Sequence, residues 1–392
     1  MKICILTPRF PFPENGGDVL RINYIARYLK ERGHQLLLVS FHENSPCMEE
    51  SKGLYDKIYT VKRNCVISAF QALRYLFTRR PIQCGYYYSP LFMRLFERVV
   101  ADEAPDLYVS HLLRMTTYLE KKHLEHKSIV EMTDALSKTY MMSKLSNGRL
   151  FIKTIYKIEQ SLIRRYEQYT IEHFPKVVLV SQSDIDYLSQ LRGNNLPSLA
   201  LHTNGVDMVP FVIREYNPMK IVFLGNMRTL QNQDAVLHFA KDIFPIIKKQ
   251  KPEAQFYVIG AQPGPRIRKL AEREDIHVTG FVENLYPAMA DACISVAPVK
   301  VAAGIQNKVL MAMSYGIPCI MTSLIAKAIP ELRNEENCLI SDKCQPFADA
   351  CLSLMDNPQK RNMIAQKGYE MVEKHYSWKE KLGDYEIMET KR

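Results

Sequence analysis

The chain has 392 residues, of which 47% are hydrophobic and 24% charged, and a net charge of +10. That length exceeds one ordinary core and implies two domains, and the composition is that of a globular protein. No apolar run reaches the roughly 18 residues of a membrane span. The nine cysteines are scattered without a C-x-x-C pair, which excludes a redox motif and fits a reducing compartment.

Lys2–Thr7 reads as a first buried strand. Its short apolar stretch, closed by Pro8, does not reach the length of a signal-peptide core, so a cytoplasmic protein is expected. Pro8–Gly17 is a loop dense in turn residues. From Asp18 to Arg32, Ile22, Ile25, Ala26 and Leu29 form the stripe of an amphipathic helix, ended by Gly33. Gln35–Phe41 is the next strand, and Leu107–Ser110, Ser128–Met132 and Val177–Ser181 follow with helical stretches between. A second series runs Ile221–Leu224, Phe256–Ile259, His277–Thr279, Cys293–Ala297, Cys319–Met321 and Cys338–Ile340. Periodicity lapses at His202–Tyr216, which divides the series.

Repeated β-α alternation implies parallel sheets covered on both faces. The expectation is therefore an α/β protein of two doubly wound, Rossmann-like domains facing a cleft, with ligands at the carboxyl ends of the strands. The domains are expected at 1–205, on the acceptor side, and 206–375, on the donor side. A C-terminal helix, 376–392, is expected to pack back towards the first domain.

The charge is uneven: residues 1–205 hold 28 basic against 20 acidic side chains. Such an excess favours anionic partners. The stretch 67–80 places Ile67, Phe70, Leu73, Leu76 and Phe77 on one helical face, with Arg74, Arg79 and Arg80 nearby. It fits a helix packed on its own domain, or one lying on an anionic membrane. Tyr86, Tyr87 and Tyr88 add ring surface beside it.

The motifs that would mark a dinucleotide enzyme, a P-loop ATPase, a zincin or a serine hydrolase are all missing. Cys338, Cys344 and Cys351 are the closest cysteine set, but no His stands at ligand spacing, so no structural zinc is expected. Asp184 and Asp186 form a D-x-D triplet at a helix start, where acidic residues answer the helix dipole as readily as they hold an ion. Gly16 and Gly17 lie between the first strand and helix, and either let a ligand approach or make a flexible turn. His111 ends a strand and is a candidate donor or base beside the alternative of a structural histidine. Asp134 ends the next strand and is a second catalytic candidate or a helix cap. In the segment Pro298–Pro318, Gly304 opens a helix expected from about Ile305 to Tyr315, with Lys308 one turn in. A helix start of this kind offers free N–H groups and a partial positive charge to a phosphate.

In their order and spacing these segments resemble the retaining glycosyltransferases of the GT-B fold, family four. The likeness runs from the Gly16-Gly17 loop through His111 and Asp134 to Asn204-Gly205-Val206-Asp207, Phe223–Met227 and Thr279–Val282. Gly304–Leu310 is similar to a subgroup from bacterial exopolysaccharide clusters. The resemblance implies a UDP- or GDP-linked sugar donor on the C-terminal domain. The base would lie near Gly260, Phe281 and Val282, and the diphosphate at Gly304, Ile305, Gln306 and Asn307, close to Lys308. Gly16 and Gly17 would close over it, with His111 beside the sugar. It implies no cofactor and no metal, since the leaving phosphate takes the acceptor proton. The acceptor would be a surface glycan or lipid-linked glycan, met at an anionic inner-membrane surface; no nucleic acid is expected. The chain departs from that pattern where the family carries two glutamates, here Ala303 and Met311, and where it carries a phosphate-pairing Arg and Lys, here Asn226 and Asn232, with Arg228 as a substitute.

Overall fold

The computed structural model describes residues 1–14, 17–43, 51, 53–75, 77–146, 150–190, 198–212, 215–300, 305–383 and 385, the side chains of 142–156 excepted. It divides into two compact units, Met1–Asn204 with the segment from Tyr385, and Gly205–Asp384.

The first unit runs β1 (Lys2–Thr7), α1 (Gly17–Glu31), β2 (Gln35–His42), β3 (Lys57–Lys62), α2 (Cys65–Tyr75), α3 (Ile82–Tyr86), α4 (Pro90–Glu103), β4 (Leu107–His111), α5 (Thr116–Glu120), β5 (Ser128–Thr133), α6 (Leu136–Ser146), α7 (Leu150–His173), β6 (Lys176–Leu179), α8 (Gln182–Ser189) and β7 (Leu199–Leu201). Its sheet is ordered β3-β2-β1-β4-β5-β6-β7, and every pairing is parallel. Central strands are buried on both faces, which is why β1 and β2 read as nearly continuous apolar runs and why the charge of Glu131 in the equally buried β5 stands out. Gly33, at φ +79°, closes α1, as its position after the last apolar residue predicts. The edge strands β3 and β7 escape sequence reading. β3 is only half-buried and β7 has three residues, so neither carries a long apolar run.

The second unit runs β8 (Asn217–Leu224), α9 (Leu230–His238), α10 (Phe244–Gln250), β9 (Gln255–Ile259), α11 (Pro265–Arg268), β10 (Ile276–Gly280), α12 (Leu285–Met289), β11 (Ala292–Ala297), α13 (Asn307–Ser314), β12 (Cys319–Met321), α14 (Ser323–Lys327), β13 (Leu339–Ile340), α15 (Cys344–Asp356), α16 (Pro358–Tyr376) and α17 (Trp378–Gly383). Its sheet is also all parallel, β10-β9-β8-β11-β12-β13. Each unit has its own apolar core. Each fully buried Leu, Ile or Val contributes about 1.5–3 kcal/mol to it.

In both sheets the strand order reverses once, between β1 and β4 and between β8 and β11. Ligands of doubly wound sheets lie outside the carboxyl ends of the strands at such a reversal. Topology therefore selects the loops after Thr7 and His111 in one unit, and those after Leu224 and Ala297 in the other. Among the described residues no helix is long and apolar enough to cross a membrane.

Two helices differ from expectation. The helix expected from Ile305 starts at Asn307, because Gln306 has a non-helical backbone (φ −91°, ψ 87°) and Ile305 packs against the core. The helix expected over 67–80 spans Cys65–Tyr75 instead. It begins where the Asn64 side chain accepts from the N–H groups of Val66 and Ile67, and Arg79 beyond it has a positive φ that no helix continues.

Candidate functional site

In the first unit the candidate site is built on buried charge. Arg21, on the inner face of α1, donates from Nε to Glu131 Oε2 at 2.7 Å, and both side chains are shut off from water. Tyr385 donates to the other Glu131 oxygen at 2.6 Å, and Arg21 Nη1 donates to Asn204 Oδ1 at 3.1 Å. A buried pair is tolerable only with such extra hydrogen bonds. His111 lies opposite Glu131 in the β4–β5 register and is itself buried. Neither of its ring nitrogens has a hydrogen-bond partner among the described residues. Burial pushes its pKa down to about 4, against the pull of Asp18 and Glu131 and with the help of Arg21 and Arg9. The ring is therefore neutral at pH 7, with one nitrogen free to donate and the other to accept. Buried polar atoms are nearly always partnered, so two open nitrogens at a strand's carboxyl end keep His111 a candidate for a ligand contact.

The loops around His111 are strained. Leu112 (φ +69°) and the β-branched Thr133 (φ +65°) both occupy positive φ, which costs about 1–3 kcal/mol each and clusters at functional sites. Asp134 follows Thr133 and reaches solvent. Partial burial and the charge of Asp184 hold its carboxyl above the usual range. Its alternative role as a cap is filled by another residue: Glu167 accepts from the Ser137 N–H at 3.1 Å and from its hydroxyl. Gly17 opens α1, and a Cβ there would meet nothing within 4 Å, so packing does not demand the glycine. Gly16 lies outside the described residues. Asp18 pairs with Arg9 across that loop. The D-x-D carboxylates are used locally, Asp184 by Lys138 at 2.8 Å and Asp186 by Gln182 at 2.8 Å. Among the described residues no cluster of three or more His, Cys, Asp or Glu could hold a metal ion.

In the second unit three loops interlock at the ends of β8, β9 and β10. Gly225 donates to Ile259 O, and Gly260 donates to Gly280 O. A Cβ on Gly260 would stand 1.9 Å from the Gly225 carbonyl, and its φ of +146° is a glycine conformation. The Asn226 carboxamide accepts from the Arg228 N–H at 2.9 Å, while its carbonyl accepts from Asn232 at 2.8 Å. Asn226 thus shapes the loop, and Arg228 is exposed. Phe281 stands out from the end of β10, 70% exposed, with Val282 half-buried after it. Asn284 then caps α12.

Asn232 also holds Lys308, whose ammonium donates to its side-chain oxygen and lies 5.1 Å over the Phe223 ring. Burial pushes that amine down to about 8, and no carboxylate pairs with it among the described residues. Charge held only by a neutral carboxamide is incompletely compensated, and an anion arriving there would restore it. Asn307 opens α13, exposed, with Gln306 and Ile305 half-buried before it. Gly304 and Ala303 lie outside the described residues. Met311, one turn after Asn307, packs partly into the core.

The structure brings Gly260, Asn226 and Lys308 together at one end of the sheet through Gly225 and Asn232, and the sequence reading gave Asn232 only a negative role. It missed Arg21, Glu131 and Tyr385. The signal was present: a charge inside the apolar stripe of α1 and another inside the strand SIVEMT.

Residues 218–357 match the family model described as "Glycosyl transferases group 1". No curated protein sequence matches the chain. Solved structures are similar over nearly its whole length. Anabaena HepE in complex with UDP and glucose is 12% identical with a TM-score of 0.63, covering 98% of each chain. Sucrose-phosphate synthase from Thermosynechococcus elongatus is 13% identical with a TM-score of 0.65, covering 98% of this chain and 97% of the other. A TarM mutant from S. aureus, in complex with fondaparinux, alpha-GlcNAc-glycerol and UDP, is 10% identical with a TM-score of 0.64, covering 98% of each chain. The fold is that of the GT-B glycosyltransferases, with two Rossmann-like domains.

Proposed function

We propose that the chain is a glycosyltransferase that moves a sugar from a nucleoside-diphosphate donor, with retention and without a metal, to a surface or lipid-linked glycan at the cytoplasmic face of the inner membrane. The observation that carries this reading is Lys308, an uncompensated cation in the first turn of a helix at the strand-order reversal, inside the segment that matches group 1 glycosyl transferases. The diphosphate would take the amides at the start of α13 and the Lys308 ammonium. The base would lie on the Gly260 loop against Phe281 and Val282, with Arg228 in reach of the phosphates. HepE and TarM, which were crystallised with UDP, support this choice of donor class.

The chemistry would rest on stabilising the departing diphosphate, where preorganised cations and N–H groups contribute most. Neutral His111 would hold a sugar hydroxyl, and the diphosphate oxygen would take the acceptor proton on the face it leaves. Asp134, with its raised carboxyl, would accept a second hydroxyl.

Met311 favours a second reading. A thioether accepts hydrogen bonds poorly, so the ribose would lack a carboxylate partner at this position. The chain would then be a GT-B subunit that binds without transferring. Isothermal titration with UDP and GDP, on the intact chain and on Lys308→Ala, tests the donor site. Binding to one nucleotide, weakened about tenfold or more by the substitution, is expected for loss of one charge-assisted contact. No binding to either would end the donor assignment. Slow hydrolysis of a nucleotide sugar then separates enzyme from binder.

A further inference from the structure

Helix α2 is built inside out. It buries Ser68, Gln71 and Tyr75 and turns its apolar side chains to water. Val66, Phe70 and Leu73 are 78%, 65% and 56% exposed, and Phe77 just beyond the helix is 85% exposed. Positions 66, 70 and 73 fall on one helical face, so the exposure is a stripe and not a scatter. The inner face is fixed by close backbone packing: a Cβ on Gly85 of α3 would stand 2.6 Å from the Tyr75 ring and 2.7 Å from the Gln71 carbonyl. The helix therefore cannot roll to hide the stripe. A contiguous apolar patch of this kind marks an interaction site.

Charge says what covers it. Between Asp56 and Glu97 the sequence has seven Lys and Arg and no acidic residue. Three of these cations, Lys57, Arg63 and Arg80, are answered from outside the stretch by Glu103, Glu43 and Glu120. Arg74 and Arg79 are exposed and form no ion pair among the described residues. Beside the stripe lies a cavity of about 220 Å³ lined by Gln71, Arg74, Tyr75, Arg80, Tyr88 and Lys121, among others. Lys121 lies 5.2 Å over the Tyr88 ring, and the Gln71 side-chain oxygen is buried without a partner. Apolar side chains flanked by unpaired cations suit the boundary between acyl chains and anionic headgroups.

We infer that α2 docks the protein on a bilayer containing anionic lipid. Phe70, Leu73 and Phe77 enter the acyl boundary, and Arg74, Arg79 and Lys121 stand at headgroup depth. This deepens the proposed meeting with a lipid-linked acceptor but needs no donor site, so nucleotide binding is measured in parallel to keep the two readings separate.

The intact chain is sedimented with vesicles of phosphatidylcholine alone and with 30% phosphatidylglycerol (about one lipid in three), at low and high salt. Binding is expected only to the anionic vesicles and is weakened by salt. Arg74→Gln with Arg79→Gln should weaken it about 30-fold, from roughly fivefold per cation. Phe70→Ser with Phe77→Ser should weaken it about tenfold or more through lost apolar burial, with UDP affinity unchanged. In Phe70→Trp, emission should shift to the blue on anionic vesicles. Equal binding by the serine variant, or no shift in the tryptophan variant, overturns the inference. So does lipid-independent self-association, abolished by the serine pair and seen by light scattering, since the stripe would then be covered by a second copy.

Discussion

The amine of Lys308 carries opposite consequences for stability and for binding. Its pKa is about 8 in the folded chain, from burial, against an ordinary 10.5. A lysine whose folded pKa is depressed penalises folding below pH 8, and the penalty lifts as pH rises from 8 towards 10.5. An anion needs the charged form, so affinity moves the other way. Free protein is about nine-tenths charged at pH 7 and one-tenth at pH 9 for a pKa near 8, so UDP affinity should fall about tenfold between them. Titration calorimetry at both pH values checks this, with Lys308→Ala expected to show a flat profile. A wild-type affinity that holds steady to pH 9 removes Lys308 from the phosphate site. His111 gives no comparable signal, because its pKa near 4 leaves it neutral throughout that range.

At the scale of elements, the donor-side loops stand or fall together. Gly260 meets the Gly225 carbonyl at a distance no side chain permits, and Asn232 ties the Asn226 carbonyl to Lys308. Gly260→Ala must push the two loops apart and hold a φ that alanine resists, and is expected to cost about 2–4 kcal/mol. Chemical denaturation measures that cost. UDP affinity should drop in the same variant, because Asn232 and Lys308 lose their register. How legible each element is follows from the same physics. Strands β1, β11 and β12 are buried on both faces and show as plain apolar runs. β3 and β7 are sheet edges and do not. The period of α2 was readable, but which face turned inward was not. That choice depends on Gly85 and α3, which no helical periodicity reports. Likewise His111 and Lys308 could be singled out by their places at a strand end and a helix start. In the Arg21–Glu131–Tyr385 cluster the bonded partners Glu131 and Tyr385 alone stand 254 positions apart, and only the folded chain brings them together.

At the scale of the whole molecule, each unit buries its own core, so the two have separate sources of stability. Domains with independent cores often unfold in separate steps, and a ligand raises only the step of the unit that binds it. Calorimetry should therefore resolve two transitions, one belonging to each sheet. Saturating UDP, at about 100 times its dissociation constant, should stabilise one of them by about 2.7 kcal/mol. Assignment needs a mark in each core. Ile294 in β11 and Ile129 in β5 are both fully buried, and replacement of either by alanine should cost about 2–5 kcal/mol. Ile294→Ala should lower the transition that UDP raises, and Ile129→Ala the other. If UDP instead follows the transition marked by Ile129, the nucleotide sits on the His111 sheet, and the roles given to Lys308 and the Gly260 loop must be exchanged with those of the first unit.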